Sequence, residues 1–283
     1  MLSKIKTIFE DIKIQHTVFA LPFALMSAFM ASNGIPPLDK LLWILLAMVG
    51  ARSAAMSFNR IADADYDREN PRTKERALPK GEIKKSQYLI FLIISTFLFL
   101  FSCLMLNRLA LILSPIALLI VFFYSYTKRF TIFSHFFLGL SLSLAPIGAW
   151  VAIREEISIV SIVLGLAVIF WLAGLDIIYS CQDVEFDKSY GLFSFPARLD
   201  IAKALKLSAL FHTIMILLLF SLIFLENLGL FFIIGVVLIA GLLLYEHSIV
   251  RPDDLSRVNV AFFNVNGIIS IGLMIITIID IIY

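Results

Sequence analysis

Between Asn59 and Gly81 the chain reads NRIADADYDRENPRTKERALPKG, a dense run of charge set between long apolar segments. Asn59, Asp63 and Asp67 recur every fourth residue. On a helix each lies about 40° round from the last, so one face carries an amide and two carboxylates. Arg52, seven residues earlier, falls on nearly the same face, whereas Asp65 points elsewhere. Pro71 disfavours further helical periodicity, and Arg72, Lys74 and Arg76 follow within a few residues. Oxygen ligands for a hard cation are thus followed by donors for an anion. That order fits a metal-bridged polyphosphate, because Mg2+ commonly binds one or two carboxylates together with phosphate oxygens. Arginine adds planar, bidentate donors to the same phosphate. A solvated loop made basic by topology competes with this reading when the stretch is taken alone.

A second acidic stretch, Gly174 to Asp200, reads GLDIIYSCQDVEFDKSYGLFSFPARLD. Asp176, Asp183 and Asp187 stand at i, i+7 and i+11, which keeps them within about 40° on a helical face. Tyr179, one turn along from Asp176 and offset by about 60°, can present its hydroxyl to the same cavity. Gln182 and Glu185 point away. Carboxylates at the membrane end of an apolar helix are costly and face a bundle interior or an aqueous cavity. Asp176, directly after IFWLAGL, is the clearest case. Two such clusters opening on one side point to shared metal binding.

The elements that must position these clusters are membrane helices. The 283 residues are 60% hydrophobic, above the roughly 45–50% of soluble domains, with mean hydropathy +0.96. Apolar runs of about 20 residues, enough to cross a core of about 30 Å, fall near 16–33, 40–60, 87–106, 109–127, 134–153, 157–180, 205–225, 228–248 and 259–282. The expected fold is therefore all-α, a polytopic membrane bundle of nine transmembrane helices around a central cavity, with residues 1–283 as a single domain. Of the 23 Lys and Arg, only Lys40, Arg108 and Arg154 fall opposite the side that holds the N-terminus. The positive-inside rule then puts the N-terminus and both acidic stretches at the cytoplasmic face of the inner (cytoplasmic) membrane. Residues 1–16 read as an interfacial helix with Ile5, Ile8, Phe9 and Ile12 on one face, followed by a retained first span rather than a cleaved signal. The remaining connections are turns. A net charge of +2, with basic residues segregated by loop, gives no reason to expect nucleic-acid binding. Cys103 and Cys181 read as packing residues. His16 could line the cavity mouth, and His135, His212 and His247 follow no metal-ligand spacing.

N-x-x-x-D-x-x-x-D at Asn59, Asp63 and Asp67 with its NPRTKERALPKG flank, together with DIIYSCQDVEFDKSYGLFSFPARL, resembles the UbiA superfamily of intramembrane prenyltransferases. The 4-hydroxybenzoate polyprenyltransferase-like branch is nearest, and the likeness covers nearly the whole chain. It implies a central cavity for a polyprenyl diphosphate and an aromatic acceptor, with Mg2+ ions held on the diphosphate by Asp63, Asp67, Asp183 and Asp187. Asn59 and Asp176 belong to the same motifs. One departure is Asp200, where relatives often carry glycine after the S-x-P segment.

Arg72, Lys74, Arg76 and Arg52 are then the expected diphosphate partners, stabilising the leaving group. The 26 Phe and 8 Tyr offer aromatic faces for an allylic cation, none singled out. A benzoate acceptor needs a cation for its carboxylate, for which Arg129 and, second, Lys128 lie on the correct side. The expected partners are a polyprenyl diphosphate, an aromatic carboxylic acid and the lipid bilayer, with no obligate protein partner. The expected reaction serves quinone biosynthesis, ubiquinone with 4-hydroxybenzoate or menaquinone with another aromatic acid. Haem or glycerol phosphate acceptors fit the flanks less well. A divalent-cation transporter is the alternative of another class, and it predicts acidic residues near the middle of several spans rather than at one end.

Overall fold

Each apolar run marked by hydropathy folds as a helix, and the turn residues between them end those helices. The computed structural model describes residues 2–13, 17 and 19–283, with side chains at all of these except residues 2, 3 and 5. The order is α1 (Leu2–Asp11), α2 (Leu21–Ser32), α3 (Leu38–Ala62), α4 (Ala64–Glu69), α5 (Lys85–Leu106), α6 (Arg108–Thr127), α7 (Ser134–Arg154) and α8 (Ile159–Ser180). It continues with α9 (Val184–Ser189), α10 (Phe195–Leu199), α11 (Ile201–Glu226), α12 (Leu230–Ile249) and α13 (Asn266–Ile282), with no strand among the described residues. Eight segments are long and apolar enough to cross a membrane, which makes this a multi-pass membrane protein. The ninth expected span, 16–33, is the shorter α2, whose 12 residues rise only about 18 Å. Its start at His16, and the role suggested for that residue, lie outside the described residues.

Chain order runs round a ring: α3 packs on α5, α5 on α6, α6 on α7, α7 on α8, α8 on α11, α11 on α12, and α13 returns to α2. Two backbone approaches in this ring require glycine. A Cβ on Gly50 would come within 2.7 Å of the Phe99 nitrogen of α5, and one on Gly139 within 2.6 Å of the Ile169 carbonyl of α8. Among the eight long spans the one built on α8 is the most buried, with Trp171, Leu164, Leu175 and Ile177 fully enclosed. Polar cross-links fix its neighbours: Trp171 Nε1 donates to Asn266 Oδ1 (2.7 Å), and Asn266 Nδ2 donates to Glu246 Oε1 (2.8 Å) and to the Ala261 carbonyl (2.9 Å) in the π-turn Val260–Val265.

On the face away from the acidic stretches, α2, α7 and α11 end in left-handed residues, Asn33, Glu155 and Asn227. Two of the three basic residues there complement helix C-termini: Lys40 Nζ donates to the Leu106 carbonyl and Arg154 Nε to the Ala31 carbonyl. Asp200 adopts φ +83°, a conformation that glycine reaches without strain, while its carboxylate caps α11 by accepting from the Lys203 nitrogen (2.8 Å). The cap offsets part of the backbone cost at the position where glycine was expected.

The interfacial helix α1 is pinned rather than merely adsorbed. Ile8 and Ile12 bury against Ala77, Ile83 and Tyr88, with Phe9 alongside, while the Ile5 side chain lies outside the described residues. Asp11 takes hydrogen bonds from Arg60 Nε (2.9 Å), the Tyr88 hydroxyl and the Ala77 nitrogen (3.0 Å). Burial alone would raise the Asp11 carboxyl, but Arg60, Tyr88 and Ala77 outweigh it and hold it below the ordinary carboxylate value. One buried carboxylate thereby ties α1, α3, α5 and the loop carrying Arg72 and Arg76. Breaking a buried ion pair by removing one partner costs on the order of 3–5 kcal/mol. Asp11→Ala is therefore expected to lower the thermal midpoint of the solubilised protein and to open the 70–84 loop to protease. A midpoint and cleavage pattern matching the unmodified protein would show that the loop is held some other way.

Candidate active site

Both acidic stretches break their helices at an aspartate. Asp63 sits between α3 and α4 with φ −95° and ψ 7°, and Asp183 ends the 3-10 turn Cys181–Asp183 with φ −103° and ψ 6°. The first break keeps the four-residue register, since the Asp63 nitrogen bonds to the Asn59 carbonyl and the Asp67 nitrogen to that of Asp63, both at 2.8 Å. Asn59, Asp63 and Asp67 therefore keep a common face. The second break does not: three residues at 3.0 per turn rotate the chain by about 60° more than an α-helix would. Asp176 still lines the cavity with Asp183 and Asp187 but finds a separate partner.

One cavity of about 610 Å³ takes in Asn59, Asp63, Asp67, Asp176, Asp183 and Asp187. Arg52, Arg72, Arg76, Lys128, Arg129 and Tyr179 line it too. Lys74 is the exception: it is exposed and does not line the cavity, whereas Arg72 and Arg76 of the same loop do. Asp65, Gln182 and Glu185 are exposed, as their helical positions require. The cavity's polar groups gather where α3 and α8 end. Elsewhere its wall is mostly apolar, mixing small residues such as Ala47, Ala51 and Ala149 with larger ones such as Phe99, Leu113 and Leu142.

Every aspartate of the two pairs meets a cation, and three of the four cations come from distant sequence. Arg72 grips Asp183 with both arms, Nε to Oδ1 at 3.0 Å and Nη2 to Oδ2 at 2.7 Å, and its Nη1 donates to the Tyr179 hydroxyl (3.2 Å). Arg76 Nη1 lies 2.7 Å from both oxygens of Asp67. Arg129 Nη2 donates to the Ala62 carbonyl (2.7 Å) and to Asp63 Oδ1 (3.1 Å), with its guanidinium over the rings of Tyr66 and Tyr126. Lys128 Nζ stands 2.8 Å from Asp187 Oδ1, close enough for an ion pair but without hydrogen-bond geometry. Asp187 is wholly buried, and Oδ1 makes no hydrogen bond among the described residues. Burial raises the Asp63 carboxyl; the Arg129 hydrogen bond works against that, the neighbouring Asp67 adds to it, and the net shift is upward.

Neutral partners complete the arrangement. Asn59 Nδ2 donates to Asp63 Oδ2 (2.8 Å), Asn70 bridges Asp183 and the Arg72 backbone, and Ser194 Oγ donates to Asp187 Oδ2 (2.8 Å). His135 Nδ1 lies 2.7 Å from Asp176 Oδ2. No motif marks His135, 41 residues from its partner, while Asn70 and Ser194 are visible only as an Asn-Pro turn and an S-x-P segment.

Among the described residues no three Asp, Glu, His or Cys side chains form a ready-made metal cage. The residues present nevertheless fit Mg2+, which takes one or two carboxylates and fills its octahedron with water and phosphate oxygens. Each stretch supplies such a pair one turn apart, and buried Asp187 Oδ1 retains free lone pairs. The carboxylates crowd one end of the cavity beside cations. That suits an anion bridged by divalent metal, and it lacks the series of mid-span acids expected of an ion pathway.

The sequence matches the UbiA prenyltransferase family over residues 20–268. The 4-hydroxybenzoate octaprenyltransferase of Vesicomyosocius okutanii subsp. Calyptogena okutanii (strain HA) is 31% identical over 231 residues, 81% of this chain and 84% of that one. The apo structure of a UbiA homolog from Aeropyrum pernix K1 superposes with TM-score 0.86 at 33% identity, covering 94% of this chain and 98% of the other. A UbiA homolog from Archaeoglobus fulgidus bound to GPP and Mg2+ shares the fold at TM-score 0.72 and 21% identity, covering 97% of this chain and 99% of its own. The match spans most of the chain and both acidic stretches, and the chain belongs to the UbiA prenyltransferase family.

Proposed function

We propose that this prenyltransferase moves a polyprenyl group from a polyprenyl diphosphate to an aromatic carboxylic acid, 4-hydroxybenzoate first, in quinone biosynthesis. The observation that carries the reading is the single cavity in which two aspartate pairs and four cations alternate at one end of an apolar chamber. The name of the Vesicomyosocius okutanii relative supports the acceptor, and the ligands of the Archaeoglobus fulgidus homolog support a prenyl diphosphate with Mg2+. The chain acts as one domain in the inner membrane, its polar cavity end facing the cytoplasm, as the segregation of Lys and Arg supports.

Asp63, Asp67, Asp183 and Asp187 would hold the metal, which supplies neutralisation of charge on the diphosphate as the allylic C–O bond breaks. Arg72, Arg76 and Lys128 lie within reach of the same oxygens and stabilise the departing diphosphate, which leaves with the bonding electron pair. Tyr66, Tyr124, Tyr179 and Phe262 line the cavity and offer ring faces to the allylic cation while the apolar wall excludes water. The acceptor ring carbon ortho to its hydroxyl then forms the new C–C bond, and that carbon loses its proton.

Arg129 is a poor partner for the acceptor's carboxylate because Asp63 and the Ala62 carbonyl already occupy it. Arg52 fits better. It lines the cavity deeper along α3, its Nη2 donates to the Lys13 carbonyl (3.1 Å), and it has no carboxylate partner among the described residues. Its Nε, like that of Arg129, is buried and makes no hydrogen bond among the described residues, but Arg52 alone of the two has no carboxylate on its other nitrogens there. A planar carboxylate is the group that a guanidinium pairs best.

Purified protein with Mg2+, a panel of prenyl diphosphates and a panel of aromatic acids is expected to yield prenylated 4-hydroxybenzoate by mass spectrometry, and Asp183→Ala to lower that rate by about a hundredfold or more. Failure to prenylate any aromatic acid, or undiminished turnover in Asp183→Ala, would overturn the reading; product from another aromatic acid alone would reassign the acceptor. Arg52→Ala removes a charged hydrogen bond of about 1.5–3 kcal/mol and is expected to raise the acceptor KM by about tenfold to a hundredfold, leaving the donor KM little changed. The opposite pattern, donor KM raised and acceptor KM unmoved, would return Arg52 to the diphosphate.

A further inference from the structure

The carboxylates of the cavity differ in what holds them. Asp63, Asp67, Asp183 and Asp187 each face an Arg or Lys, whereas the ion-pair partner of Asp176 is His135. The imidazole is buried, stacked on the Phe195 ring at 5.5 Å and 19°, and engaged at both nitrogens. Its Nε2 accepts from the Phe195 backbone N–H (3.3 Å), so in the neutral ring the proton resides on Nδ1 and is donated to Asp176 Oδ2 (2.7 Å). Asp176 lines the cavity with its side chain about a quarter exposed, and its Oδ1 makes no hydrogen bond among the described residues.

Phe195 belongs to the segment that follows the second acidic stretch, and that segment is latched to the turn between α6 and α7. The Phe193 nitrogen donates to the Lys128 carbonyl (2.7 Å), and Ser194 Oγ supports Asp187. One ring therefore spans from the deep aspartate of α8 to the segment that steadies Asp187.

We propose that His135 is a positioning residue for the acceptor side of the reaction. Through Nδ1–H it fixes Asp176 so that Oδ1 accepts a hydrogen bond from the acceptor's hydroxyl, and through Nε2 it sets the register of residues 193–195. The assignment rests on the prenyl-transfer reading given above. It accounts for a histidine where a fixed cation would serve a metal-binding aspartate: a neutral donor orients a carboxylate without cancelling its charge. A ring held at both nitrogens also restricts Asp176 to one rotamer.

The requirement is one donor and one acceptor on a planar frame, which the amide of glutamine also supplies and leucine does not. Losing a group that orients a functional ligand typically costs about 10–100-fold. In the Mg2+-dependent assay His135→Leu is expected to lower kcat/KM for 4-hydroxybenzoate by that factor with donor KM within about twofold, and His135→Gln to restore it to within a few fold. In an Asp176→Asn background, His135→Leu should add little further loss. Equal impairment of His135→Gln and His135→Leu, a shift confined to the donor KM, or additive losses in the double variant would each overturn the assignment. If His135→Leu does not accumulate as monodisperse protein, His135→Gln decides alone, near-normal acceptor kinetics supporting the role and a tenfold loss removing it. Absence of prenyl transfer by the unmodified protein would instead defeat the underlying reading, so the two failures are distinguishable.

Discussion

The structure depends on the placement of carboxylates at the end of an apolar bundle. An isolated buried carboxylate costs several kcal/mol, so each must be met by a cation or by several hydrogen-bond donors. For three of the four paired aspartates the cation is borrowed. Arg72, from the loop within the first acidic stretch, reaches Asp183 in the second; Arg129 and Lys128, from the turn after α6, reach back to Asp63 and forward to Asp187. Only Arg76 serves an aspartate of its own stretch. The crossed pairing makes the charge cluster a structural joint between the first and second groups of helices.

The joint imposes its own local geometry. A straight helix would carry the first and second aspartates of each pair on outward into solvent, and both chains instead bend at the first aspartate, with φ and ψ within about 10° of each other in the two stretches. Asp67 in α4 and Asp187 in α9 are buried and line the cavity although they lie beyond the long apolar helices. Similar pairs, bends and burial recur in two parts of the chain. The two stretches are not equivalent: a 3-10 turn lies between Asp176 and the Asp183–Asp187 pair, while Asn59 remains in register with Asp63.

What could be read from the sequence follows from periodicity. Nine apolar runs became nine helices, with ends displaced by only a few residues, because burial in lipid leaves a helix as the sole way to satisfy the backbone. The Asn59, Asp63 and Asp67 face was legible for the same reason, since a four-residue spacing survives one bend. Contacts between remote segments leave no such trace. Nothing near Asp183 announces Arg72, 111 residues away, nothing near Asp11 announces Arg60 and Tyr88, and His135 has no motif at all. Among Arg72, Lys74 and Arg76 the alternation identified three cations but not which two line the cavity, because the loop after Pro71 has turns instead of a helical period. The shortness of α2 was hidden by apolar residues before Leu21 that read as part of the same span.

The same pairing that holds the joint closed does not lock it, and the reason lies in unequal burial. Asp67, Asp183 and Asp187 are at most 8% exposed, while their partners Arg76, Arg72 and Lys128 remain 25–36% exposed on the cavity side. A pair with one partly solvated member is screened more than a fully buried pair and exchanges partners at lower cost. The carboxylates are fixed by bends of the backbone; the cations hang on long side chains that need only turn about their own bonds. A divalent ion entering with a phosphate would therefore take over the carboxylates without moving the helices, and the released guanidinium and ammonium groups would already stand beside the anion.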